Sequence, residues 1–196
     1  MKNITVYCGA NPGNNPIFTE QAFALGKYMA EQEIGLVYGG GNVGLMGAVA
    51  NGVIQNNGSG VGIIPQFLLD KELGHGGLTE LIIVENMHQR KAKMYEMCDA
   101  IVALPGGFGT MEELFEMLTW GQLGLHEKPI ALLNTMGYYD SLLAFFDDMT
   151  KHGLLRPEHR AMVIVDDNIE ALIEKMKAYE PTSHGKWLHK DDIKPF

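Results

Sequence analysis

The stretch "AIVALPGGFGTMEELFE", residues 100–116, sets the reading of the whole chain. Five apolar residues (100–104) run without alternation, as in a strand covered on both faces. Pro105 cannot donate to a sheet ladder, so pairing stops there. Gly106, Gly107 and Gly109 then permit a tight turn, and an amphipathic helix follows over 110–123. Strand, glycine turn and helix in that order form the repeating half of a βαβ unit.

Working outward, the same alternation recurs. Strands are expected at 4–8, 35–39, 60–64, 80–84, 100–104, 129–133 and 162–165, and helices at 17–32, 44–56, 87–98, 110–123, 138–152 and 168–178. Such a pattern predicts an α/β fold: a doubly wound, Rossmann-like parallel sheet of about seven strands with helices on both faces. Ligands of such sheets bind at the carboxyl ends of the strands. The segment 65–79 is the least regular and reads as a lid-like excursion. Residues 1–180 read as a single nucleotide-binding catalytic domain, and 181–196 as a C-terminal surface tail.

Composition narrows the function. The chain has 196 residues, 46% of them hydrophobic, with a net charge of −9. An acidic surface opposes nucleic-acid binding, which needs clustered Lys and Arg. The densest basic cluster, "HQRKAK" (88–93), is too short to track a groove, although it suits one phosphate. No run approaches the roughly 18 apolar residues of a membrane span, and the amino terminus enters a strand without a leader-like stretch, so a cytoplasmic protein is expected. Cys8 and Cys98 read as reduced core residues. No His/Cys/Asp cluster has metal-ligand spacing, so neither a metal nor any other cofactor is expected.

Two glycine loops follow strands. "GGGNVGLMG" (39–47) contains Gly39-x-Gly41-x-x-Gly44, the spacing of a dinucleotide fingerprint. The acidic residue that would hold a ribose some 20 residues later is missing, since residues 34–69 carry no charge. A Walker A loop is excluded by the lack of Gly-Lys-Ser/Thr. Two uses remain for Gly41 and Gly44: backbone amides offered to an anion at a helix start, or close helix–sheet packing. In the second loop, Thr110-Met111-Glu112-Glu113 reads as a capping box with Thr110 as N-cap. Capping does not account for three glycines around Phe108, whereas an anion cradle of backbone amides does. Successive helical residues point about 100° apart, so Glu112 and Glu113 are expected to face different targets, one the site and one solvent.

At these residues the chain resembles the LOG (LONELY GUY) family of cytokinin riboside 5′-monophosphate phosphoribohydrolases, often labelled lysine decarboxylases. "PGGFGTMEE" (105–113) matches PGGxGTxxE, and "MHQRK" (87–91) matches Met-x-x-Arg-Lys; the first glycine loop and residues 118–134 extend the likeness over roughly 3–155. The resemblance implies hydrolysis of the N-glycosidic bond of an adenosine-type 5′-monophosphate, AMP or its N6-prenylated form. Free base and ribose 5-phosphate would be the products. It implies Arg90 and Glu113 as the catalytic pair. Gly107, Phe108, Gly109 and Thr110 fall on the phosphate loop, flanked by Gly106, Met111 and Glu112, and Glu72, Lys91 and Thr119 fall on further substrate-contacting positions. It also implies a homodimer with active sites near the interface. Ala10-Asn11 stands where the family carries Ser-Ser, and Asn42 where Ser is common.

An oxocarbenium-like transition state gives an ionised Glu113 a task. Arg90, always protonated, can bind or stabilise negative charge but cannot act as an acid. Without the motif context it would read as a solvated charge on a helix face. The competing class is a non-catalytic, Rossmann-like nucleotide sensor or carrier. A pure phosphate binder has no use for a carboxylate at position 113.

Overall fold

A computed structural model describes residues 1–70 and 74–181. Seven strands form one parallel sheet: β1 (Asn3–Tyr7), β2 (Gly35–Tyr38), β3 (Gly60–Pro65), β4 (Glu80–Val84), β5 (Ala100–Ala103), β6 (Ile130–Leu133) and β7 (Val163–Asp166). Their order is β4-β3-β2-β1-β5-β6-β7, and every neighbouring pair is parallel. The doubly wound α/β expectation holds. The longer helices are α1 (Pro16–Glu31), α2 (Gly44–Ile54), α4 (Met87–Glu96), α5 (Phe108–Gln122), α6 (Asp140–Lys151) and α8 (Ile169–Lys177). Two single-turn helices, α3 (Gln66–Leu69) and α7 (Pro157–Arg160), are additions to the expected set. The first of them turns the start of the 65–79 excursion into regular structure. The proposed tail lies, after Pro181, outside the described residues.

Side chains along a strand alternate between faces, and β1 shows both faces buried. Ile4, Val6 and Cys8 enter one layer with Leu25 and Met29 of α1, Val49 and Val53 of α2, and Leu172 of α8. Tyr7 enters the other layer with Met94 of α4, Leu114 and Met117 of α5, and Phe146 of α6. A strand covered on both sides has no polar face to display, which explains its uninterrupted apolar run. Both cysteines are buried and free.

Helices α1 and α2 meet backbone to backbone. A Cβ on Gly26 would overlap the Val49 carbonyl, and one on Gly52 would overlap the Phe23 carbonyl. Each of these helices begins just after a loop that leaves the carboxyl end of a strand, so the contact holds the two loops at a fixed spacing.

The chain winds outward from β1 through β2 and β3 to β4, then crosses back to β5 and winds outward the other way. The strand order therefore reverses between β1 and β5, where Tyr7 sits beside Ala103 in register. The loops leaving the carboxyl ends of two such strands diverge and leave a crevice.

Candidate active site

That crevice is a cavity of about 470 Å³, lined by residues 8–13 after β1, Gly39 after β2, and Pro105, Gly106, Gly107, Gly109 and Thr110 after β5. Arg90 and Glu113 both border it, with Met46, Leu68, Met87 and Met94 forming an apolar side.

The second glycine loop departs from the capping-box expectation. Helix α5 starts two residues earlier, at Phe108, with Gly107 as an N-cap that offers no side-chain bond. Thr110 lies inside the first turn, buried, and fills the space that a Cβ on Gly106 would occupy. Thr110 thus packs against the loop and leaves the first amides of α5 without a side-chain acceptor at the N-cap. Those amides and the helix dipole make a ready anion site. A Cβ on Gly107 or on Gly109 would meet no protein atom within 4 Å, and neither residue has positive φ. Among the described residues, neither a packing contact nor the sign of φ demands glycine at either position. Phe108 between them is 96% exposed.

The residues that follow the 3-10 turn after β6 (Thr135–Gly137) bond two carbonyls at this end of β5, and one of them, Tyr138, also lines the cavity. Tyr138 Oη donates to the Gly106 carbonyl at 2.6 Å, and Tyr139 Oη donates to that of Leu104 at 2.5 Å. The sequence reading passed over both tyrosines, because their targets lie more than thirty residues away and no local pattern marks them.

Arg90 is not a solvated charge. It is 9% exposed, with Nε donating to the Ile63 carbonyl at 3.1 Å and Nη2 to the Gly39 carbonyl at 3.1 Å. These neutral acceptors occupy one edge of the guanidinium without neutralising its charge, which is felt by Glu113. Nη1, 3.7 Å from Met87 Sδ, belongs to the edge that remains. Its neighbour Lys91 faces the other way, bonding Glu112 at 2.5 Å and Glu116 at 3.0 Å.

Glu112 is the exposed one of the two and Glu113 the less exposed, as expected, although both border the cavity. They differ in surroundings. Glu112 is at the rim, paired with Lys91. Glu113 is half-buried in the cavity wall, and desolvation there pushes its carboxyl from 4.5 up to about 7, a rise that nearby Glu112 and Glu116 reinforce and Arg90 and Lys91 oppose. A carboxyl poised near neutrality can both take up and release a proton at physiological pH.

The remaining site positions lie farther out. Thr119 is exposed on α5, its Oγ1 donating to its own helix at the Phe115 carbonyl, 2.7 Å away. Met111 packs on the second core layer. Gly41 bridges to Gly74 at the edge of the excursion, and Gly44 begins α2 with φ +58° against the Ala10 carbonyl. Glu72 lies outside the described residues. Among the described residues, no group of three or more His, Cys, Asp and Glu side chains is placed to hold a metal ion. No helix among them is long and apolar enough to cross a membrane.

The family model described as "Possible lysine decarboxylase" matches residues 46–176. A cytokinin riboside 5′-monophosphate phosphoribohydrolase of Arabidopsis thaliana, LOG7, is 44% identical over 198 residues, covering 98% of this chain and 91% of the relative. One from Rhodococcoides fascians is 47% identical over 178 residues, covering 90% of each. The chain belongs to the LOG family. Solved structures with the same fold extend beyond LOG-family enzymes: the molybdenum cofactor carrier protein of Chlamydomonas reinhardtii superposes with a TM-score of 0.70. It is 20% identical and covers 91% of this chain and 99% of the carrier. At that identity the likeness concerns the fold alone. A lysine forming a Schiff base would have to reach the substrate, and no lysine lines the cavity among the described residues.

Proposed function

We propose that this cavity hydrolyses the N-glycosidic bond of adenosine-type nucleoside 5′-monophosphates, releasing free base and ribose 5-phosphate, with Glu113 and Arg90 as the catalytic pair. The observation that carries the reading is the half-buried Glu113 carboxyl, raised to about 7, in one cavity with an Arg90 held by backbone carbonyls alone. A carrier gains nothing from such a group.

The geometry supports a division of labour. The 5′-phosphate rests on the amides at the start of α5, where Gly107 and Gly109 leave room for close approach. Glu113 lies little more than one helical turn farther on, about the span from phosphate to the anomeric carbon. Positive charge grows there as the carbon–nitrogen bond breaks, and the ionised carboxylate stabilises it. A water oxygen bonds to the anomeric carbon and one water proton passes to Glu113. Glu113 then passes that proton, directly or through water, to the departing base, and so ends each turnover ionised. Arg90 presents its free edge to the developing negative charge of substrate or leaving base. The apolar side of the cavity suits a base with an apolar N6 substituent.

Residues 1–180 act in this reading as one catalytic unit, in a cytoplasmic homodimer. Two features support the second copy. Lys91, Glu112, Glu116 and Thr119 form a polar stripe running away from the cavity, and Phe108 stands in solvent at its mouth. A two-fold pair would bring one chain's stripe to the other's cavity. Light scattering of a micromolar solution should give twice the chain mass; a monomer with full activity would rule this out.

The test of the activity is chromatography of products from AMP, N6-prenyl-AMP, adenosine and ATP, with and without EDTA. Base and ribose 5-phosphate should appear from the monophosphates only, at a rate EDTA leaves unchanged. Equal cleavage of adenosine and AMP would remove the phosphate loop from the mechanism. Stoichiometric binding without product would restore the carrier reading.

A further inference from the structure

We infer that Gly39 is a positioning residue for Arg90: its carbonyl and its missing side chain together fix where the guanidinium sits. The inference rests on the reading of Arg90 as catalytic and adds a residue that acts through it. Arg90 rises from α4, on the second face of the sheet, and its long side chain must cross the ends of β3 and β2 to reach the cavity. Two carbonyls mark the route, that of Ile63 in β3 and that of Gly39 just after β2.

At Gly39 the fit leaves no room. A Cβ there would overlap Arg90 Nη2, lie 3.0 Å from Cζ and 3.2 Å from Met46 Sδ. The φ of Gly39 is not positive, so the backbone itself would accept an L-residue. The neighbouring Gly40, at φ +77°, is a glycine for conformational reasons; Gly39 is one for Arg90. With Nε and Nη2 both donating to backbone carbonyls, one edge of the guanidinium is seated on the backbone and the other remains for substrate. An added methyl group displaces that edge by about the size of the overlap. Misplacement of a catalytic group by roughly 1 Å costs on the order of 10²-fold in rate.

The experiment is a double-mutant cycle of Gly39→Ala with Arg90→Lys, following base release from AMP. Gly39→Ala alone should lower kcat about 10²-fold with little change in KM, since the substrate still finds its phosphate loop. If the two positions act as one unit, the double variant should be no slower than Arg90→Lys. Multiplied losses, or a Gly39→Ala enzyme at wild-type speed, would overturn the inference. Should Gly39→Ala fold poorly, melting curves decide instead. Removing the guanidinium removes the clash, so Gly39→Ala/Arg90→Ala should melt no lower than Arg90→Ala, and a further drop would overturn the inference. If Arg90→Lys keeps full turnover, the catalytic role of Arg90 falls, while the melting comparison still tests the seat.

Discussion

The two glycine-rich loops look alike as sequences and answer to different needs. In the first, residues 39–47, the chain itself requires the glycines. A Cβ on Gly44 would overlap the Ala10 carbonyl, and one on Gly47 would lie 2.5 Å from the Asn42 carbonyl oxygen. In the second, Gly106 is filled by Thr110, whereas Gly107 and Gly109 face open space. A glycine that the described chain does not need leaves room for something outside it. Glycine spacing alone cannot separate these cases, because the deciding contact is made elsewhere in the fold or by a ligand.

The comparison is strained hardest at Glu113, the residue to which the second loop leads. Glu113→Gln should cost about 10³-fold in kcat, measured as base release from AMP. Its effect on stability should have the opposite sign above neutrality. A carboxyl whose folded pKa is raised favours the fold while protonated, so its stabilisation is complete below about 4.5 and is lost as pH rises through about 7. Wild type should therefore melt lower at pH 8 than Glu113→Gln. Equal melting temperatures at pH 8 would mean that the carboxyl is not desolvated as described.

Next in size is Gly44→Ala in the first loop. Positive φ and the collision with Ala10 together should remove about 2–4 kcal/mol of stability in urea unfolding. The fraction that remains folded should turn over at close to the wild-type rate. Gly107→Ala and Gly109→Ala should give the mirror image. Their melting curves should match wild type, while kcat/KM on AMP falls roughly 10-fold, about the worth of one impaired phosphate contact. If Gly109→Ala melts early and keeps its kinetics, the two loops are not different in kind.

The smallest effect concerns pH. Turnover should rise through about pH 7 as Glu113 ionises. Arg90 holds that carboxyl down against the pull of burial. In Arg90→Ala the residual activity should therefore show the rising limb at higher pH. A limb that stays in place would assign it to another group.

Much of the architecture was legible because periodicity carries it. Each of the seven strands shows its apolar run, and the six longer helices begin within two residues of their expected starts. The short helices α3 and α7 escaped, since four residues display no period. The reading of Thr110 as a cap failed for an instructive reason. Glycine and phenylalanine are weak helix formers, yet α5 begins on Phe108 because the Gly106 seat draws Thr110 inward. The motif resemblance pointed to Arg90 and Glu113, but not to what surrounds them. Gly39 and Tyr138 act on residues 51 and 32 positions away. A window read along the chain cannot reach that far.

The bond from Tyr138 to the Gly106 carbonyl has a thermodynamic consequence. In a trans peptide the carbonyl and the following N–H point in opposite directions. Holding the Gly106 oxygen therefore also fixes the direction of the Gly107 N–H. The amide is already aimed before any anion arrives, and less conformational freedom is lost when one binds. Phenylalanine at 138 would keep the ring and release the peptide plane. Calorimetry of phosphate binding should then show a larger entropic penalty with nearly the same contacts.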